Sequence, residues 1–288
     1  MGLTAQIGII GGTGLEKFNG LTTIAEVYKE TPFGYPSDNI IIGELAGTQI
    51  AFLPRHGRNH HLNPSEIPVQ ANIFALKSLG VERIISVSAV GSLSEEIHPL
   101  DIVIPNQIID RTRNRVGTFF GGGVVVHASF ADPFCGQLSA LLETHARKLG
   151  VRTHAGGTYL AMEGPLFSTR AESQMYRSWG AKVIGMTAIP EAKLAREAEL
   201  CYATLACVTD YDCWHESEED VTVELVAQNL QRNAGKAKSI LQMVIPEAVL
   251  SEPCQCQRAL ENAILTSAES IEQPVKERLS LLIEKYIR

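Results

Sequence analysis

The stretch Ile7-Gly8-Ile9-Ile10-Gly11-Gly12-Thr13-Gly14 joins a short apolar run to a turn rich in glycine. The apolar run is typical of a buried strand, and glycines after a strand expose backbone N–H groups that an anion can approach closely. Thr13 adds a hydroxyl donor. The Gly-Lys-Ser/Thr ending of a P-loop is absent, and the glycine spacing does not match a dinucleotide fingerprint. The stretch therefore indicates either an anion site at a strand end or a plain tight turn.

Outward from this stretch, strand-like runs alternate with amphipathic segments along the chain, a pattern typical of an α/β sheet with helices on both faces. Residues 106–117 and Gly121–Gly123 have no clear period and predict a long loop, which is often functional. The predicted strands are 7–10, 40–45, 49–53, 83–89, 101–104, 153–160, 182–185 and 201–208, and the predicted helices are 65–79, 132–149, 168–179, 190–200, 222–243, 257–268 and 274–287. Without a repeat or a linker, we predict one domain over residues 1–288, with about 257–288 as a helical extension.

The 288 residues carry 25 basic and 32 acidic side chains, a net charge of −7. This balance argues against a protein that binds nucleic acid through its phosphates, whereas small anions remain possible ligands. No apolar run approaches the roughly 20 residues that a membrane helix needs, and no leader pattern opens the chain. We therefore expect a cytoplasmic protein that contacts neither membrane nor nucleic acid.

The six cysteines stand at positions 135, 201, 207, 213, 254 and 256. No pair of Cys-x-x-Cys units occurs, so the spacing predicts no structural zinc site. Cys254-Gln-Cys256 is the one close pair, and it can be two reduced thiols or a disulfide or redox pair.

A second candidate anion site follows a strand at the basic stretch Arg55-His56-Gly57-Arg58-Asn59-His60-His61. Guanidinium groups bind oxyanions and keep their charge, so this element favours a phosphate. His56 and His60 have the spacing of a helical zinc site, but Gly57 makes a helix improbable here and no metalloprotease glutamate is present. A third element, Ser86–Ser92, places small residues at a strand end, where they can line a ligand site or allow close packing.

Five segments together resemble the 5′-methylthioadenosine phosphorylases, a branch of the trimeric purine nucleoside phosphorylase family. They are Gly11–Leu15, Pro54–Gly57, Met162–Glu172, Gly185–Thr187 and Val208–Trp214. The resemblance runs from about residue 6 to about residue 245. It implies a three-layer α/β fold with a central mixed sheet flanked by helices, a homotrimer, and no metal or organic cofactor. It also implies phosphorolysis of methylthioadenosine to adenine and 5-methylthioribose 1-phosphate, in methionine and purine salvage, with inorganic phosphate as co-substrate.

The resemblance also assigns residues. Asp210 and Asp212 would act on the purine, and an Asp at the first position favours adenine over a 6-oxopurine. His127 would reach the 5′ pocket of a neighbouring subunit. The phosphate would contact Thr13, Arg55, His56, Ser88, Ala89 and Thr187, and the nucleoside would contact Phe167, Ser168, Met186, Val223 and Val226. From the residues alone, two carboxylates two positions apart share one side of an extended segment, and burial with mutual repulsion raises a pKa enough to hold a proton.

Several other functions remain open. The nearest is the same reaction on methylthioinosine or on ordinary purine nucleosides. More distant ones are hydrolysis in place of phosphorolysis, an oxidoreductase that binds a nucleotide at Gly11–Gly14, and a non-catalytic binding protein.

Overall fold

The computed structural model describes residues 3–12, 15, 20–215, 223–249 and 252–287. Within this part of the chain, 11 strands form one sheet. The strands are β1 (Ile7–Gly11), β2 (Thr22–Val27), β3 (Ile40–Leu45), β4 (Thr48–Pro54), β5 (Arg83–Ser92), β6 (Ile102–Ile104), β7 (Gln107–Arg111), β8 (Thr153–Ala155), β9 (Thr158–Met162), β10 (Ala181–Gly185) and β11 (Cys201–Asp210). The helices are α1 (Val69–Ser78), α2 (Gly136–Lys148), α3 (Arg170–Ser178), α4 (Ala188–Glu197), α5 (Val223–Val249) and α6 (Gln273–Ile283). None of these helices is long and apolar enough to cross a membrane.

The core lies on both faces of the sheet, because successive side chains of a strand point to opposite faces. Ile10 of β1 belongs to a buried cluster with residues of α1, α4 and α6. Its neighbour Ile9 belongs to a second cluster with residues of α2 and α5. The predicted three-layer α/β fold with a mixed central sheet is therefore confirmed.

Four neighbouring strands, β4, β1, β5 and β11, run parallel to one another. The carboxyl ends of parallel strands share one edge of a sheet, which is where ligands bind in open α/β folds. The last residues of β5 also pair with β10 in antiparallel fashion, through Gly91 and Ile184. This pairing brings the end of β10 to the same edge, so five strand ends meet there.

Two sequence predictions of secondary structure are wrong. Residues 106–117 contain the strand β7. Among the described strands it pairs with β9 alone, and its side chains are half-buried or exposed, so it lacks the apolar pattern of a central strand. Residues 257–268 do not form an α-helix. Their backbone turns at Gln255–Arg258 and then bonds to the glycine-rich loop, through the His127 N–H to the Ala263 carbonyl and the Leu265 N–H to the Val125 carbonyl.

Other predicted elements are present with shifted boundaries. The first helix begins at Val69 and not at Ser65, because the Asn63 side-chain oxygen accepts the N–H groups of Ser65 and Glu66 in a separate turn. The second begins at Gly136, later than predicted, with Cys135 at its N-cap. The predicted strand 153–160 is two strands, β8 and β9, because Gly156 and Gly157 adopt positive φ angles between them.

The segment that follows α5 is packed into the core of the molecule. Leu279, Leu282 and Ile283 of α6 are buried in the same cluster as the residues of α1. Leu260, in the irregular stretch before α6, is buried there too. The terminal segment thus contributes to one of the two layers that cover the sheet.

Candidate active site

A cavity of about 450 Å³ opens at the edge where the strand ends meet. Most of the residues predicted for the site line it, and they come from segments that are far apart in sequence. These residues are Arg55, His56, Ser88, Ala89, Phe167, Met186, Thr187, Asp210 and Asp212. The structure therefore brings the predicted phosphate-binding and purine-binding groups together in one space.

The remaining predicted residues do not line this cavity or cannot be placed. Ser168 is not among the residues that line the cavity. Its hydroxyl lies 3.6 Å from the sulfur of Met162, which does line it. His127 is exposed and is not part of the lining. Thr13 lies outside the described residues, as do the side chains of Val223 and Val226.

Arg55 is fully buried at the cavity floor and forms a two-bond ion pair with Glu191 of α4. Its Nε lies 2.5 Å from Glu191 Oε1, and its Nη2 lies 3.2 Å from Oε2. Burial alone would lower the pKa of Arg55, but the Glu191 carboxylate outweighs burial and the pKa is raised. Arg55 also donates to the Ser86 hydroxyl and the Val87 carbonyl. Its charge is therefore balanced before any ligand binds, and Glu191, which carries no recognisable local motif, was missed by sequence reasoning.

His56 is neutral at pH 7 in this arrangement. Burial, the Arg55 charge and His60 lower its pKa to about 4. Its Nδ1 lies 2.8 Å from the Leu62 carbonyl, so the neutral ring carries its proton on Nδ1 and leaves Nε2 as an acceptor. His56 stacks on His60 with ring centroids 4.4 Å apart, and within the described residues neither belongs to a group of three potential metal ligands.

Two neutral hydroxyl donors line the cavity close to the paired charges of Arg55 and Glu191. The hydroxyls of Ser88, near the end of β5, and Thr187, just after β10, lie 3.2 Å apart. Both residues are buried and both line the cavity, with Ala89 next to them. Paired hydroxyls at strand ends can donate two hydrogen bonds to one oxyanion.

The two carboxyl groups lie at the end of β11. Asp210 is the last residue of the strand, whereas Asp212 has a φ of +53° in a 3-10 turn. The prediction that both occupy one extended segment is therefore wrong, since a backbone turn begins between the two residues, although both still line the cavity. Gly91 leaves the space that Asp210 needs, because a Cβ at that position would lie 2.9 Å from Asp210 Oδ1.

Burial raises the pKa of both groups. For Asp212 burial is the largest cause and the Asp210 charge adds to it, and the pKa rises to about 6. Asp212 Oδ2 is buried without a hydrogen-bond partner. For Asp210 burial also raises the pKa, opposed by a 2.7 Å hydrogen bond with Thr209 and by the backbone N–H of Asp212. A carboxyl group that holds a proton near neutral pH can donate it to a base.

The opposite wall is apolar and is held by a buried arginine. Phe167 lines the cavity with 44% of its surface exposed, beside Met162 and Met186. The Arg115 guanidinium donates to the carbonyls of Met186, Ile189 and Glu163, which ties this wall to the start of α4. Sequence reasoning did not identify Arg115, because its partners Glu163, Met186 and Ile189 are distant in sequence.

Comparisons with known proteins identify the family of this chain. The sequence profile of the Phosphorylase superfamily matches residues 6–246. S-methyl-5'-thioadenosine phosphorylase from Thermosynechococcus vestitus is 55% identical over 99% of this chain and 100% of its own length. The enzyme of that name from Geobacter sulfurreducens is 54% identical over 98% of this chain and 99% of its own.

Solved structures lead to the same family. A methylthioadenosine phosphorylase from an antarctic soil metagenomic library superposes with a TM-score of 0.93 at 49% identity, over 98% of this chain and 99% of that one. Methylthioadenosine phosphorylase from Schistosoma mansoni in complex with adenine superposes with a TM-score of 0.84 at 32% identity, over 98% of both chains. With its strand-end cavity, its full-length relatives and its matching fold, the chain belongs to the phosphorylase superfamily and, within it, to the S-methyl-5'-thioadenosine phosphorylases.

Proposed function

We propose that the chain catalyses the phosphorolysis of 5′-methylthioadenosine to adenine and 5-methylthioribose 1-phosphate. The observation that carries the proposal is that a buried carboxyl pair, Asp210 and Asp212, and a buried hydroxyl pair, Ser88 and Thr187, line the same cavity. One pair suits a purine leaving group and the other suits a phosphate nucleophile. The names of the relatives support this substrate.

Phosphate would bind at the end of β5 and the turn after β10. The hydroxyls of Ser88 and Thr187 and the backbone N–H of Ala89 would donate to its oxygens, with Thr13 completing the set as the family resemblance implies. Arg55 would set the position of this floor through its bonds to Ser86 and Val87. His56 Nε2 would accept a phosphate O–H or take up a proton from it. An anion held beneath the ribosyl carbon both attacks it and stabilises the positive charge that develops there.

The purine would occupy the space between Phe167 and the two carboxyl groups, with Met186 under the ribose and Ser168 next to Met162. Negative charge grows on the ring as the glycosidic bond breaks, and protonation of N7 relieves it. Asp210 would supply this proton. The Thr209 hydroxyl, 2.7 Å from Asp210 Oδ2 and 3.2 Å from the Val90 carbonyl, would hold the carboxyl in position for this transfer. The Asp212 carboxyl, which also lines the cavity, would accept from the exocyclic 6-amino group.

The 5′ end of the nucleoside would lie against Val223 and Val226, which favour a methylthio group over a hydroxyl because a buried hydroxyl would lack a partner there. We further propose a homotrimer in which His127 reaches the site of a neighbouring subunit. His127 is exposed in the single chain, beside the exposed apolar side chains of Val125 and Leu265. Adjacent exposed apolar side chains are typical of an interface.

The reaction as proposed needs phosphate and no metal or organic cofactor. None of the six cysteines forms a disulfide. We propose that the protein works in the reducing cytoplasm, where the products would enter purine and methionine salvage. The deciding experiment measures adenine release from methylthioadenosine with and without phosphate, alongside adenosine and methylthioinosine. We expect release only with phosphate, and the highest kcat/KM for methylthioadenosine. Release without phosphate would establish hydrolysis, and a preference for methylthioinosine or adenosine would establish the alternative substrates.

Mixing two inactive variants tests the shared site. His127→Ala and Asp210→Asn chains, unfolded together and refolded as a mixture, should recover part of the activity, because some mixed sites would combine an intact His127 with an intact Asp210. Recovery no greater than that of the two variants refolded separately would exclude a shared site.

A further inference from the structure

Four of the six cysteines meet at one point of the fold, which their spacing in sequence does not suggest. The Sγ atoms of Cys135, Cys201, Cys254 and Cys256 all lie within 4.8 Å of one another. They come from three separate places: the N-cap of α2, the first residue of β11, and the segment after α5. Cys207 and Cys213 do not belong to this group.

The sulfur positions suit a shared metal ion. A tetrahedral Zn²⁺ bound by four thiolates at about 2.3 Å places the sulfurs about 3.8 Å apart. The Cys135 and Cys254 sulfurs are 3.7 Å apart, and those of Cys254 and Cys256 are 3.5 Å apart. A disulfide would require about 2.05 Å. Every sulfur is close to every other, so a single ion can reach all four.

The surroundings leave the thiols with little else to bind. Cys135, Cys201 and Cys256 are buried in the apolar cluster that includes Leu138, and Cys254 packs at its edge. The neighbours of the thiols are therefore apolar side chains and one another.

The helix that begins at the cluster favours negative charge on one of the sulfurs. Cys135 stands at the N-terminus of α2, where the helix dipole favours an anion. Arg83, the register partner of Cys201, donates through its guanidinium to the Glu252 carbonyl 3.4 Å away, which links β5 to the segment that carries Cys254.

We propose that Cys135, Cys201, Cys254 and Cys256 bind one Zn²⁺ in a closed structural site that fastens the segment after α5 to the sheet and to α2. Four protein ligands leave no open position, which distinguishes a structural zinc from a catalytic one. The site is remote from the reaction, because Cys201 and Asp210 lie at opposite ends of a ten-residue strand, about 30 Å apart. The expectation of no structural zinc considered only ligands adjacent in sequence, and here the fold gathers them.

The first test is metal analysis of the full chain, purified without metal-affinity resin from cells grown with zinc. We expect close to one zinc per chain. Cys135→Ser and Cys254→Ser should each lose most of it, whereas the control Cys207→Ala, which removes a buried thiol outside the cluster, should retain it. Zinc that stays in the cluster variants, or that is absent from the wild type, overturns the proposal, and so does iron in its place.

Two measurements on the wild type keep the proposal testable if the cluster variants fail to fold. The first is thiol titration in denaturant with a chelator, for which we expect six thiols. Two disulfides within the cluster would leave two titratable thiols, since four of the six cysteines would be paired. A count of two thiols would overturn the proposal. The second is the melting temperature, which a strong chelator should lower and added Zn²⁺ should restore. A melting temperature that ignores both also counts against the site.

Discussion

Arg55 Nε and Glu191 Oε1 lie 2.5 Å apart, with both side chains only 1% exposed. The cation that the sequence assigns to phosphate is thus already paired with a buried carboxylate. An ion pair of this kind fixes geometry more than it supplies free charge. In the proposed reaction, hydroxyl and backbone donors would therefore hold most of the phosphate, while Arg55 and Glu191 would keep the cavity floor in position.

Breaking this pair should destabilise the protein more than it weakens phosphate binding. We expect Arg55→Met and Glu191→Gln each to lower the free energy of unfolding by about 3–5 kcal/mol, because each leaves a buried charge alone. The double variant should lose less than the sum of the two. Urea unfolding of the four proteins measures this. The control is Arg147→Met, which removes an exposed ion pair with Glu143 one helical turn away and should cost far less. Additive losses at Arg55 and Glu191 would contradict the coupling.

Asp210→Asn should affect 6-aminopurines more than 6-oxopurines. The amide cannot donate a carboxyl proton to N7, and loss of a general acid costs about 10²–10⁴ in rate. We expect kcat/KM to fall in this range for methylthioadenosine and to fall less for methylthioinosine, whose oxygen can accept from the new amide. Parallel assays of both substrates measure the ratio. Equal losses would remove Asp210 from purine recognition.

Asp212 should make the protein less stable as the pH rises. Its pKa is about 6 in the folded chain against 3.8 when exposed, so the folded state holds the proton more tightly between these values. The free energy of unfolding therefore falls from pH 4 to pH 6 and stays lower above, by about 2–3 kcal/mol. Asp212→Asn should remove this loss, so its stability relative to the wild type should rise from pH 4 to pH 7. A pH-independent difference in urea unfolding would show that Asp212 is not the titrating group.

Phosphate binding should draw a proton to His56. Burial and nearby positive charge hold its pKa at about 4, and a bound anion favours the charged ring. Calorimetry at pH 6.5, in two buffers with different ionisation enthalpies, gives the number of protons taken up. We expect the wild type to take up more protons than His56→Asn, whose amide can still donate to the Leu62 carbonyl. Equal uptake would mean that phosphate itself carries the titrating proton.

Much of the fold could be predicted because its strands are strongly apolar. The strand of Ile7 and the strand of Arg83 were recognised from composition, since central parallel strands are buried on both faces. The edge strand β7 was not, because Gln107 and Asp110 face outward and interrupt the pattern. The stretch 257–268 was taken for a helix because its backbone partners lie more than a hundred residues away, around Val125.

The candidate site could be predicted only through groups that have a local motif. Arg55 and Asp210 stand in recognisable segments, and the structure places both on the cavity. Glu191 and Arg115 have no such signal, because their roles depend on partners that only the folded chain brings near. The four clustered cysteines are the same case, since Cys135 and Cys201 meet Cys254 only after β11 and α5 are in place.

The main-chain bonds between residues 263–265 and residues 125–127 link the tail of the molecule to the loop that carries His127. If that histidine serves an adjacent protomer, then shortening the gene at its 3′ end would impair catalysis in a neighbour and not only folding in the truncated chain itself. A deletion that removes residues 263–265 would then impair both the fold of the tail and the assembly of the active site.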